Sequence, residues 1–159
     1  MSEQVEYAGF WLRVWAGAID LCLECVGALL LTIGLDFALS RFGRLVGFSP
    51  FDSKVAVGMS FIMILAVGSW LYCAFAESSS WQATVGKRLL GLKVVTADGE
   101  RTSFGVATVR HMMKFLSLFI LTIGFMMSGW TKRRQALHDM PCDCLVIRVP
   151  VKNFSLFDH

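Results

Sequence analysis

Charge is what this sequence has least of. Only 17% of its 159 residues are Asp, Glu, Lys or Arg, where soluble domains carry about a quarter. Histidine is rare too, with three copies, one of them the last residue, His159. No second His/Asp/Glu cluster accompanies His138 and Asp139, which excludes a metal-dependent hydrolase, and nothing marks a nucleophile that His138 would serve. Zinc needs four ligands, and Cys142 and Cys144 have no second cysteine pair near them in sequence. The five cysteines, Cys22, Cys25, Cys73, Cys142 and Cys144, are odd in number. Three lie in apolar runs, where a thiol behaves as a small hydrophobe, so a secreted disulfide scaffold is excluded. Gly86-Lys87 is followed by Arg88, not Ser or Thr, and no glycine stands five residues before it, which excludes a phosphate-binding loop. The first seven residues carry Glu3 and Glu6 but no Lys or Arg. They lack the basic region of a cleavable signal, so the first helix is expected to stay as an anchor. A net charge of +3 is too small to argue for a nucleic-acid partner. No enzyme, cofactor or metal site is expected.

Apolar residues fill the space that charge leaves. They make up 55% of the chain, with a mean hydropathy of +0.60. A small soluble fold exposes too much of its surface to hide that much apolar area, and lipid is the solvent that tolerates it. The expected fold is an all-α membrane protein with two transmembrane helices, a third apolar segment and a short cytoplasmic β-like element. The first span covers residues 10–33, with Trp11 and Trp15 placed for an interfacial belt. Residues 35–54 read as a loop, because Gly43, Gly47 and Pro50 interrupt them, with a short surface helix over 37–46. Residues 55–76 form an uncharged second span, which Glu77 and three serines close. Leu92-Lys93-Val94-Val95-Thr96 reads as a strand, followed by a turn in which Gly99 supplies a positive φ. Ser103 is the expected N-cap of a helix from Phe104, and residues 145–149 read as a last strand.

The third apolar segment, residues 115–130, has 16 residues and Gly124 near its middle. It is either a span or a re-entrant hairpin. Six Lys and Arg lie in residues 81–114 against three in residues 35–54, so the positive-inside rule places the former, and the amino terminus, in the cytoplasm. Were the third segment to span, Lys132, Arg133, Arg134, Arg148 and Lys152 would all lie outside. Charge counting favours the hairpin, whose arms of about eight residues reach only part way across.

Three ionisable residues sit in the first span. Arg13 and Asp20 are seven residues apart and Asp20 and Glu24 four, so all share one helix face. An acid near mid-membrane costs about 2.5 kcal/mol or more and needs a partner or a watery cavity. Asp20 and Glu24 therefore form a candidate ion or proton site. An arginine at a helix start snorkels outward, so Asp20 must find its partner elsewhere. Arg110, His111 and Lys114 are the expected candidates, with His138 a further charge partner. Asp20 is then architectural, and Glu24 is the one expected to exchange protons. Arg13 and Asp139 are expected at one depth, close enough to pair.

These residues carry a resemblance. Arg13-Val-Trp-Ala16-Gly-Ala-Ile19-Asp20, Thr84-Val85-Gly86-Lys87-Arg88, Arg110 and Leu137-His138-Asp139 together resemble the RDD family of bacterial membrane proteins, over about residues 8–149. The signature residues would be Arg13, Asp20 and Asp139. Two departures stand out: Val85 where proline is usual, and Cys142-Asp143-Cys144 where the family has Ala-Gly-Thr. The resemblance implies one multi-pass domain over 8–149 in the bacterial inner membrane, with short tails at 1–7 and 150–159. It implies no settled activity, transport being suggested for some members; Asp20 and Glu24 in the membrane point to a small transporter or cation/proton antiporter component, which two or three spans could form only as a homo-oligomer. The other reading is a non-transporting scaffold for a membrane-protein partner.

Overall fold

A computed structural model of the chain describes residues 6–46, 50–119, 126–129, 131 and 134–149. The first apolar run does not end at Ile33. Helix α1 covers Phe10–Val46 in 37 residues, and α2 covers Pro50–Ser78 in 29. The expected loop at 35–54 is therefore helical on both sides of residues 47–49, and the expected surface helix at 37–46 is the end of α1. A glycine such as Gly43 costs a helix only about 1 kcal/mol, and Ala38, Leu39 and Arg41 are good helix formers. Pro50 opens α2, where its missing N–H removes no helical bond.

Two stretches, Phe10–Phe42 and Lys54–Ser78, are long and apolar enough to cross a bilayer. The core helix of a soluble protein would be mostly buried, yet only 17% and 0% of their most apolar windows are covered by the chain. Leu30, Leu31, Ile62 and Met63 face outward. Among the few polar groups there, Thr32 and Ser60 turn their hydroxyls back to the carbonyls of Ala28 and Ala56, each at 2.7 Å, which satisfies them without water.

The chain divides into two compact units. One, the helical unit, is Leu21–Leu71. The other joins the residues up to Asp20 to those from Tyr72 onward and holds a three-stranded sheet. Its further elements are β1 (Glu6–Tyr7), α3 (Val85–Leu89), β2 (Leu92–Thr96), α4 (Phe104–Phe119), a 3-10 turn at Met127–Gly129 and β3 (Cys144–Arg148). The strand order is β1-β3-β2, antiparallel throughout, with Val94 opposite Val146 and Glu6 opposite Arg148. Ala8, Ala16, Leu92, Val94, Cys144 and Val146 form the core beneath the sheet. Gly99 has φ +82 in the turn after β2, and Ser103 caps α4 through its Oγ, which accepts from Val106 N at 3.3 Å. The end of the amino-terminal stretch, expected as a tail, joins the sheet instead: Glu6 and Tyr7 pair with β3. Helix α4 carries the chain into the third apolar segment as far as Phe119. The choice between hairpin and span turns on residues 120–125 and 130, which lie outside the described residues.

Candidate functional site

Two polar clusters organise the sheet unit. The first is built around Asp20. Its carboxylate is buried and accepts three hydrogen bonds: from Tyr72 Oη at 2.8 Å, Thr84 Oγ1 at 2.5 Å and the Gly86 backbone N at 2.7 Å. Tyr72 Oη in turn accepts from Val85 N at 2.8 Å. Thr84 is the N-cap of α3 but makes no side-chain bond to its own helix. Asp20 stands in that place from another helix, receiving the free N–H at the start of α3 where the backbone dipole favours an anion. A Cβ on Gly86 would fall on the carbonyl oxygen of Ala16 and 3.0 Å from Asp20 Cγ. The Thr-x-Gly spacing is thus what α3 needs to reach α1.

The second cluster is ionic. Asp139 receives Arg13 Nη1 at 2.5 Å and Arg110 Nε at 2.7 Å. Arg110 Nη1 continues to Glu77 Oε2 at 2.7 Å, and Glu77 Oε1 also meets Lys87 and, at 3.9 Å, Lys114. Arg110, Glu77 and Asp139 are almost fully buried. Arg13 also donates to the carbonyls of Ala8 and Arg134, at 3.3 and 2.6 Å, so it ties the start of α1 to the segment before Leu137-His138-Asp139. Asp139 Oδ2 accepts from Ala136 N at 3.2 Å and its carbonyl from Cys144 N at 3.0 Å, which leads that segment into β3. His138 Nδ1 lies 3.4 Å from Ser117 Oγ and His138 Nε2 3.6 Å from Asp139 Oδ1. This Ser-His-Asp string is buried; Ser117 Oγ donates to the Met113 carbonyl at 3.0 Å, and Asp139 is held by two guanidiniums.

Arg13 and Asp139 meet as the sequence leads one to expect, but the expected partners of Asp20 do not reach it. Arg110 and Lys114 serve Glu77, His111 is buried on α4, and neutral donors satisfy Asp20. The reason is supply: four cations surround two carboxylates in the ionic cluster, and Thr84, Gly86 and Tyr72 are already at hand. Glu77, read from sequence only as the close of a span, is the hub that was missed; its one signal is that it is the lone acid at the end of an uncharged run. Glu24 belongs to the helical unit and is partly buried. Cys142-Asp143-Cys144 keeps its turn because Asp143 adopts φ +44, a conformation Asp tolerates better than most residues. Among the described residues no group of three His, Cys, Asp or Glu is placed to hold a metal.

The network should be acid-labile. Burial pushes the His138 imidazole down from 6.5 to about 3, and burial beside Lys114 lowers His111 to about 4. Burial alone would raise the Asp139 carboxyl, but Arg110 and Arg13 offset it and hold the group well below the ordinary carboxylate range. A histidine depressed in the fold leaves stability intact above pH 6.5 and removes it as the unfolded chain, but not the folded one, takes up protons below that. Asp139 adds stability above its unfolded value of 3.8, lost as pH falls below it. The melting temperature in detergent should therefore fall steadily from pH 7 to pH 5. His138→Gln should flatten that slope whatever it does to the value at pH 7; an unchanged slope would show that His138 is not buried neutral.

A mostly helical chain with two exposed apolar helices and a small sheet tied together by buried charge pairs points to a membrane protein. The RDD family model matches residues 7–143, and the chain belongs to that family. It is 30% identical over 148 residues to the uncharacterized protein YxaI of Bacillus subtilis (strain 168), covering 88% of this chain and 96% of that one. No solved structure matches it significantly.

Proposed function

We propose that this chain is a multi-pass protein of the bacterial inner membrane that acts as a non-transporting assembly partner for other membrane proteins. The observation that carries the reading is the saturation of Asp20. Three donors within 2.8 Å occupy the carboxylate, so the acid that first suggests an ion path is spent on holding α3 to α1. Arg13 and Asp139 are likewise spent on each other and on Arg110. What remains free is apolar helix surface, which suits packing against other spans.

Chain connectivity supports one topology. Helix α1 leaves the sheet unit and α2 returns to it, and β1 pairs with β3, which supports placing both described ends of the chain on one side of the bilayer. For the third apolar segment the five Lys and Arg that follow it, Lys132, Arg133, Arg134, Arg148 and Lys152, favour a hairpin over a span. With the positive-inside count, that side is the cytoplasm. A fluorescent protein fused after His159 should light up in the cytoplasm and alkaline phosphatase fused there should be inactive; the reverse pattern would overturn the topology.

An antiporter reading rests on Glu24 alone, as an acid within the most apolar part of the chain. The two separate in proteoliposomes holding a pH-sensitive dye. Under a sodium or potassium gradient, wild type should behave as empty vesicles, and Asp20→Asn should lower the yield of folded protein while Glu24→Gln leaves it intact. Cation-driven proton movement by wild type, abolished in well-folded Glu24→Gln, would replace assembly with transport.

A further inference from the structure

Helix α4 is inside out. Ala107, Arg110, His111 and Ser117 share its buried side, and its two charged residues, Arg110 and Lys114, both turn to Glu77. On the opposite side Val109 and Met112 are 51% and 46% exposed, with no charge between them, and Phe104, at the start of the helix, is 38% exposed. A helix that faces water has the reverse polarity, with its apolar stripe turned to the core.

We propose that the outer face of α4, carrying Val109 and Met112, lies against the acyl chains of the bilayer, so that the sheet unit is sunk into the membrane interface instead of standing off it in water. Three observations specify lipid as the occupant. The Phe104 ring packs on Phe75 with centroids 4.9 Å apart. Phe75 is exposed and lies at the end of the second candidate span, Lys54–Ser78, so the start of α4 adjoins a residue that itself needs lipid. At its other end α4 runs into the apolar third segment. Finally, the ionic cluster lies on the inner side of α4, where Arg110 is paired with Glu77 and Asp139 and Lys114 with Glu77. The cations that would otherwise snorkel to headgroups are already engaged by Glu77 and Asp139.

The proposal rests on the membrane reading above, and the experiment separates the two. A photoreactive benzophenone amino acid is placed singly at Val109, Met112, Met63 and Asp98 in the full chain. Met63 is an exposed residue of the helical unit and Asp98 an exposed turn residue of the sheet unit. Each protein is reconstituted into vesicles of phosphatidylethanolamine and phosphatidylglycerol, irradiated and weighed intact. Positions 109, 112 and 63 should gain the mass of one lipid, and position 98 should not. Lipid adducts at 63 with none at 109 and 112, or with crosslinks there to a second polypeptide, would overturn the α4 proposal and leave the membrane reading standing. Absence of lipid adducts at 63 as well would overturn both.

Discussion

Glu77→Gln should be the most damaging single polar substitution in the sheet unit. The glutamine has the same shape, but it leaves Arg110, Lys87 and Lys114 around a neutral amide and turns an NH₂ toward donors. Glu77 and Arg110 are both nearly inaccessible, so water cannot take over. Removing one partner of a buried ion pair typically costs about 3–5 kcal/mol, a large share of the roughly 5–15 kcal/mol that holds a domain folded. The expected result is a several-fold drop in monodisperse protein on size-exclusion chromatography and a lower melting temperature. Lys87→Gln should cost less, because Glu77 keeps Arg110 at 2.7 Å and Lys114 nearby. The double variant should be less damaged than the two losses added, since neighbouring charges couple. A melting temperature for Glu77→Gln equal to wild type would mean that the network does not hold the unit together.

How far the sequence revealed this follows from the range of each interaction. Strand β2 was legible residue for residue, because Leu92, Val94 and Val95 are buried apolar positions in a β-branched run ending at a glycine turn. The Ser103 cap was legible for the same local reason. The pairing of Glu6 and Tyr7 with β3 was not: two residues carry no periodicity, and their partners lie some 140 residues on. Residues 35–54 misled because glycines and charges weaken a helix without ending it, and a long apolar helix absorbs that small cost.

The site divides in the same way. Arg13 and Asp139 were placed together by the depth each should occupy, which one sequence can suggest. Which cation meets which acid depends on how α3 and α4 pack, and that is set by contacts no local window contains. Asp20 shows it most directly. A lone buried acid suggests a cation, yet its actual partners are a tyrosine, a threonine and a backbone N–H, none of which stands out as a charge. The Thr-x-Gly motif was visible in the sequence, but its meaning as a receptor for Asp20 appears only when α1 and α3 are seen together.

That receptor makes the second strong expectation. Gly86→Ala should unseat α3 from α1. The new methyl would overlap the Ala16 carbonyl oxygen, which is backbone within a helix and cannot swing aside. Overpacking of this kind costs about 1–3 kcal/mol. Moving α3 away also lengthens the bonds from Gly86 N and Thr84 Oγ1 to Asp20, each worth about 1.5–3 kcal/mol because the acceptor is charged. Asp20→Asn removes the charge but keeps the packing, and should cost only part of that. Gly105→Ala is the control, since a Cβ there meets nothing nearer than Ser103 Oγ at 4.0 Å. Thermal melts in detergent should rank Gly105→Ala with wild type, then Asp20→Asn, then Gly86→Ala lowest. The Asp20→Asn/Gly86→Ala double variant should be little worse than Gly86→Ala alone, because both act on one contact. Fully additive losses would mean that Gly86 serves something other than the approach of Asp20 to the start of α3.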